Sequence, residues 1–385
     1  MQKKLIALAV AALASGAAFA QSNVQIYGSI DVGFSHRGDA YGVGGEHASS
    51  QNAIDSGISD GNKLGFTGTE ALGNGVTALF KVEAGYKADT GAHDVNGGLF
   101  ARQAFVGLTG GFGTVIAGRL YTPYYSFVSA VDPFADGTVG AYHNVWGSDV
   151  DPLGAQVALD PARVDNAVAY VSPSWGGFNI TAAYSSNAVG QDNLGNRKSQ
   201  VQVFALLPRY TNGPVDVALS YHQLKVGDGS GLGTVSAAVD NITNFTLGGT
   251  YDFRVVKLAA LYAETDVNYE GGLGLKDQTL KNWLIGVTVP FGKSAIQASY
   301  NQSKLDKGVL GTLNGLTGNA GKARQYAVGY TYSFSKRTNV YAAYAKNKND
   351  DTNTWLDRAA VTGDASNGND LTYQNGFQFG LRHTF

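Results

Sequence analysis

The residues with the most chemical potential are five carboxylates in one long stretch. Between positions 122 and 162 stand Asp132, Asp136, Asp149, Asp151 and Asp160, with no Lys or Arg among them. The same stretch holds Pro123, Pro133, Pro152 and Pro161, half of the chain's eight prolines. Carboxylates can ligate a hard cation, transfer protons or set up an electric field. Asp149 and Asp151 have a spacing found in calcium loops, but the rest of that motif is missing. His36, His47, His93, His143, His222 and His383 are scattered, with no pair at metal-ligand spacing. The sequence therefore suggests no metal and no cofactor. Without Cys there is neither a thiolate nucleophile nor a disulfide. Gly111 and Gly113 start a dinucleotide-like pattern, but Ile116 stands where its third Gly belongs. No Gly-x-Ser-x-Gly occurs. That leaves the field, which needs cations on the other side of a gap.

The elements that would hold those cations are strands. Val24, Ile26, Gly28, Ile30, Val32 and Phe34 alternate with Gln25, Tyr27, Ser29, Asp31 and Gly33. Period two with one apolar face marks a strand that separates two environments. The same alternation recurs over 63–69, 76–84 and 373–385. Composition agrees: 52 Gly, 21 Tyr and 18 Phe beside only 15% charged residues suit many strands, tight turns and aromatic girdles. Short turns near 73–75, 110–113, 175–177, 212–214, 290–292 and 335–337 take turns with long polar connections. A membrane barrel does this, with tight turns on one side of the bilayer and long loops on the other. Counting between connections gives about sixteen strands of roughly nine to twelve residues.

A sheet in lipid must close, because every backbone polar group has to be paired inside the protein. The apolar face then looks outward and the polar face lines a wet interior. The expected fold is therefore all-β, a transmembrane antiparallel β-barrel. Strand parity puts Lys63, Arg102, Arg119 and Arg163 on the inner wall as its basic set. Asp31, Lys81, Glu83, Asp165 and Arg382 join them there.

Residues 1–20 read as a signal peptide: Lys3 and Lys4, an apolar run over 5–13, then Ala18-Phe19-Ala20. Residues 21–385 are the expected barrel, and after Gln21 no stretch is apolar enough for a membrane helix. Cleavage would take the net charge from −2 to −4 by removing Lys3 and Lys4, so nothing suggests a nucleic-acid partner.

Several segments resemble one family. They are Val24-Gln-Ile-Tyr-Gly-Ser-Ile-Asp31, Lys63-Leu-Gly-Phe-Thr-Gly-Thr-Glu70 with Leu72-Gly-Asn-Gly75, and Leu99-Phe-Ala-Arg-Gln-Ala-Phe-Val-Gly-Leu108. Phe112-Gly-Thr-Val-Ile-Ala-Gly-Arg119, Arg163-Val-Asp-Asn-Ala-Val-Ala-Tyr170, Tyr332-Ser-Phe-Ser-Lys-Arg-Thr338 and the final Phe385 complete the set. In order and spacing the chain resembles trimeric general porins of the Gram-negative outer membrane, of the β-proteobacterial type. The resemblance implies a homotrimer of sixteen-stranded barrels in outer-membrane lipid, passing small hydrophilic solutes and ions by passive diffusion. It implies that the third long loop, 122–162, folds inward as a constriction, with Lys63, Arg102 and Arg163 as a basic ladder opposite it. It also implies that Phe385 is read by the barrel-assembly machinery. One departure is Ala169, where the family often has a basic residue, and it weakens the case for strong anion selectivity. A substrate-specific channel differs only in loop detail. A barrel adhesin would use the long loops, and a barrel enzyme would need a converging cluster that the sequence does not offer.

Overall fold

Alternating side chains divide every strand of the computed structural model into a wet row and an outward row. On the first strand, β1 (Asn23–Tyr41), Ser29, Asp31 and Ser35 are buried, while Val24, Ile26 and Ile30 are exposed. That inversion of the usual globular pattern is what a bilayer demands. The structure describes residues 23–41, 47–48, 50–93, 98–146, 161–188, 190, 200–227, 239–269, 277–305, 322–349 and 372–385. The expected signal peptide lies outside them.

Eighteen strand segments form one closed sheet. β2 (His47–Ala48), β3 (Gln51–Ser56) and β4 (Lys63–Gly73) lie one after another along β1, so these three make a single stave. The other staves are β5 (Val76–Gly85), β6 (Gln103–Gly110), β7 (Gly113–Tyr121), β8 (Arg163–Val171) and β9 (Phe178–Ser185), then β10 (Val201–Asn212) and β11 (Val215–Val226). β12 (Val239–Asp252), β13 (Lys257–Tyr269), β14 (Gln278–Phe291), β15 (Ser294–Leu305), β16 (Lys322–Ser333), β17 (Thr338–Asn349) and β18 (Thr372–Thr384) complete the ring. The barrel therefore has sixteen staves, all antiparallel. It closes where β18 pairs β1, Asp31 opposite Arg382, and Gly28 and Phe385 exchange two backbone hydrogen bonds of 3.1 Å.

Two details differ from the sequence expectation. The first long connection contains β2 and β3, where a polar loop over 35–60 is expected. A further short turn joins β12 to β13 without Gly or Pro: Arg254 takes φ +70° and its N–H donates to Asp252 Oδ1 at 2.6 Å.

The third long connection enters the barrel. Thr122 caps α1 (Pro123–Val131), its Oγ1 accepting from Tyr125 N at 3.1 Å, and Pro123 opens the helix. Tyr124, Phe127, Val128 and Val131 face the inner wall and pack with Leu207, Leu224, Ile242 and Leu284 from β10 to β14. Each such side chain contributes roughly 1.5–3 kcal/mol by leaving water. A second helix, α2 (His143–Trp146), packs against β15 and β16. Between the helices, Val139 N donates to Gln378 Oε1 at 2.7 Å, and Val139 O accepts from Gln325 Nε2 at 2.8 Å. The loop is thus fastened to staves from β10 round to β18. Where it passes β14, Gly286 leaves room only for the Pro133 ring.

Candidate functional site: the lumen constriction

β7 ends at Tyr121, one residue before the loop begins, and this tyrosine is the hub of the site. Its phenol oxygen accepts from Arg102 Nη2 at 2.9 Å and Arg163 Nη2 at 3.0 Å. The Arg163 guanidinium carbon also lies 4.8 Å from the Tyr121 ring centroid. Tyr121 stacks on Tyr125 of α1, centroids 5.1 Å apart and planes 20° off parallel. Burial and the nearby charge of Asp136 push the Tyr125 phenol well above its ordinary pKa, so it stays neutral. A chain of contacts thus runs from the basic wall through two rings to the acidic loop.

Arg102 is buried, and its Nε donates to Glu83 Oε1 at 2.9 Å. Glu83 also accepts from the Tyr27 hydroxyl at 2.7 Å, and Lys81 stands 5.3 Å from the centre of that Tyr27 ring. Arg163 has no ion pair among the described residues. On the far side of β1, Asp60 is held by Lys63 at 2.8 Å and Arg382 at 2.6 Å. Asp31 anchors the segment that carries Asp60. It accepts from Ser59 N at 2.7 Å, Asp60 N at 3.0 Å and the Tyr341 hydroxyl at 2.5 Å. Asp31 is fully covered in this arrangement, so it acts as a staple and presents no charge to the lumen.

The loop reaches this same segment. Thr138 N donates to Ile58 O at 2.5 Å, and a Cβ at Gly137 would overlap the Ser59 carbonyl. The loop and the segment between β3 and β4 therefore touch through their backbones.

The structure corrects the expectation for Asp132. It is 4% exposed and sits at the end of α1. Its carboxylate accepts from the N–H groups of Phe134, Asp136 and Tyr142 at 3.1 to 3.2 Å. Burial, with the Asp136 charge adding to it, pushes its pKa up to about 7 against those three donors. Asp132 shapes the turn and does not line the gap. Asp136 is less buried and lies 2.5 Å from His143 Nδ1. Asp149, Asp151 and Asp160 lie outside the described residues.

Arg119 also stands apart. It pairs with Asp165, donates to Ala101 O, and lies opposite Ala104 on the row of the exposed Val106 and Val115. Gly118 beside it has φ +142° at an irregularity in the β7–β8 register, which is where parity ceases to predict direction. Asp60, Tyr27, Tyr121 and Tyr125 were not singled out from sequence. Tyr27 falls on the polar row of the first strand. Asp60 gives no signal, because it stands in a connection.

A wet barrel with an inward third loop and opposed charges is the architecture of a diffusion pore, and its family can be tested by likeness. Residues 7–352 match the family model for the Gram-negative porin. The chain belongs to the Gram-negative porin family. An outer membrane porin protein of Bordetella pertussis is 33% identical to it, over 90% of this chain and 95% of that one. Outer membrane porin protein 32 of Delftia acidovorans is 31% identical over the full length of both. Among solved structures, an anion-selective porin from Comamonas acidovorans superposes with a TM-score of 0.74 at 25% identity, covering 95% of this porin and 100% of that chain. OmpT of Vibrio cholerae shares the fold at a TM-score of 0.63 and 17% identity. This porin is a multi-pass β-barrel of the outer membrane, and its lumen is its channel.

Proposed function

We propose that the porin passes small hydrophilic solutes and inorganic ions by passive diffusion, with a preference for anions. The observation that carries the preference is the charge count around the gap. Lys63, Lys81, Arg102, Arg163 and Arg382 stand against Asp60, Glu83 and the loop's Asp136. Five cations against three carboxylates leaves an excess of two in this set, which leaves out the mutually paired Arg119 and Asp165 and the buried Asp31 and Asp132. Low-dielectric walls focus that field, and fixed charges at a constriction bias ion passage. Similarity to a porin that is itself anion-selective supports the reading. Ala169, buried in the apolar packing beside the loop, adds no charge there.

Reversal potential across a planar bilayer under a tenfold KCl gradient tests it. The expected sign is that of anion permeation. A cation sign would overturn the preference, and no conductance at all would overturn the channel reading. No catalytic step is assigned to the barrel.

The reading includes a homotrimer in outer-membrane lipid, a mature chain starting at Gln21, and recognition of Phe385 by the assembly machinery. Its supports are the family and the outward apolar rows. Crosslinking in native membranes, which should give a three-subunit band, and N-terminal sequencing check the first two. Deleting Phe385 should slow barrel insertion.

A further inference from the structure

Among the wall cations Lys81 has a setting of its own. It stands on β5 two residues nearer the short turn than Glu83, the partner of Arg102. At about 3.4 Å per residue that step is roughly 7 Å along the stave. Lys81 lies over the Tyr27 ring, 5.3 Å from its centre, and makes no ion pair among the described residues. Glu83, the acid on the same row, is engaged by Arg102 and by the Tyr27 hydroxyl.

The wall next to Lys81 is apolar. In register Lys81 faces Phe105 on β6, and Leu79, the next inward residue of β5, faces Gly107. Gly107 in turn faces Ile116 on β7. Directly opposed residues have Cβ atoms about 4.5–5.5 Å apart, so Lys81, Phe105, Leu79 and Ile116 share one small area of wall. They point inward. The alternate residues Val106, Leu108 and Val115 are the exposed ones, and Phe105 and Ile116 pack against the apolar cluster that seats α1. Leu79, Phe105 and Ile116 are all only half-buried. Gly107 carries no side chain, and a Cβ there would come within 2.6 Å of Ile116 Cγ2. The floor between Leu79 and Ile116 is therefore backbone and one methyl, low enough for a flat group to lie on.

An ammonium beside such a floor discriminates between anions. Chloride or a small carboxylate gains the charge alone, and water competes for it. A carboxylate on a flat apolar ring gains the same charge and also covers Phe105, Leu79 and Ile116, taking apolar surface on both sides out of water. We propose that Lys81, Phe105, Leu79 and Ile116 form an anion subsite on the periplasmic side of Arg102 that favours aromatic monocarboxylates over small hydrated anions. The side follows from the short turns, which mark the periplasmic end of such barrels. The inference deepens the anion reading and rests on it.

The test uses the folded full-length protein in planar bilayers, with KCl current recorded while potassium benzoate or potassium acetate is added. In wild type the concentration of benzoate that halves the current should be at least about fivefold below that of acetate. Lys81→Gln should remove the benzoate block, and Lys81→Arg should retain it. Leu79→Thr suits a strand and adds no charge; it should bring the two concentrations within about twofold of each other. Equal concentrations in wild type, or a benzoate block unchanged in either Lys81→Gln or Leu79→Thr, would overturn the subsite. Reversal potential under the KCl gradient is read in the same membranes. A cation sign in wild type would overturn the anion preference, whereas an anion sign with equal block by benzoate and acetate would overturn the subsite alone.

Discussion

Arg163 grips Tyr121 in two ways, through a 3.0 Å hydrogen bond to its phenol and through the face of its ring. The same phenol holds Arg102, whose charge Glu83 balances. Arg163 is therefore the wall cation whose removal changes the gap's net charge with the least rearrangement. In Arg163→Gln the ratio of anion to cation permeability should fall by about twofold or more. Reversal potentials measure it, and an unchanged value would remove Arg163 from the constriction.

Asp136 makes the opposite prediction. It is the less buried of the loop's two described aspartates and lies beside His143 and near the Tyr125 phenol. Neutralising it in Asp136→Asn should move permeability further toward anions. If the reversal potential stays where it was, the loop does not form the eyelet.

Asp132 links loop seating to pH. Its pKa is raised in the folded state to about 7, so its protonated form is favoured by folding. The associated stabilisation is full below about pH 4, the ordinary carboxylate pKa, and is lost as pH rises through about 7. The loop should resist protease better at pH 5 than at pH 8. Asp132→Asn should flatten that dependence, although losing acceptors for its backbone donors should cost about 1–3 kcal/mol at every pH. A pH profile identical to wild type would overturn the assignment.

Gly137 is where the loop meets the segment bearing Asp60. Ala there would overlap the Ser59 carbonyl, and backbone cannot move aside as a flexible side chain can. Gly137→Ala should break the Thr138–Ile58 hydrogen bond, separate the two segments and raise single-channel conductance. Unaltered conductance would mean that the contact does not limit the pore.

Most of the barrel was legible because lipid and water impose a two-residue period on every stave, and the long and short connections mark its two ends. The turn after Asp252 escaped because a side-chain acceptor, and not Gly or Pro, closes it. The site was legible only in part. Arg102 and Arg163 meet at Tyr121, but parity misdirects for Arg102: the row of Ala104 and Val106 faces outward, Phe105 packs inward, and Arg102 stands one residue before β6 begins. It put Arg119 on the inner wall, whereas Arg119 falls at a register irregularity and shares the row of the exposed Val106 and Val115. It was silent on the loop, where no alternation tells the buried Asp132 from the less buried Asp136. Asp60 arrived by a separate infolded segment, a tertiary event that local spacing does not encode.

The apolar side of α1 has a last consequence. By sealing itself to β10 through β14, it takes that arc of the perimeter out of conduction. Lys63, Arg102 and Arg163 stand outside that arc. Substitutions along the sealed arc should register as changes in robustness of the fold. Those on the conducting arc should register as changes in flux. The two properties can then drift independently in one barrel, leaving filter chemistry free to diversify without loosening the scaffold that holds it.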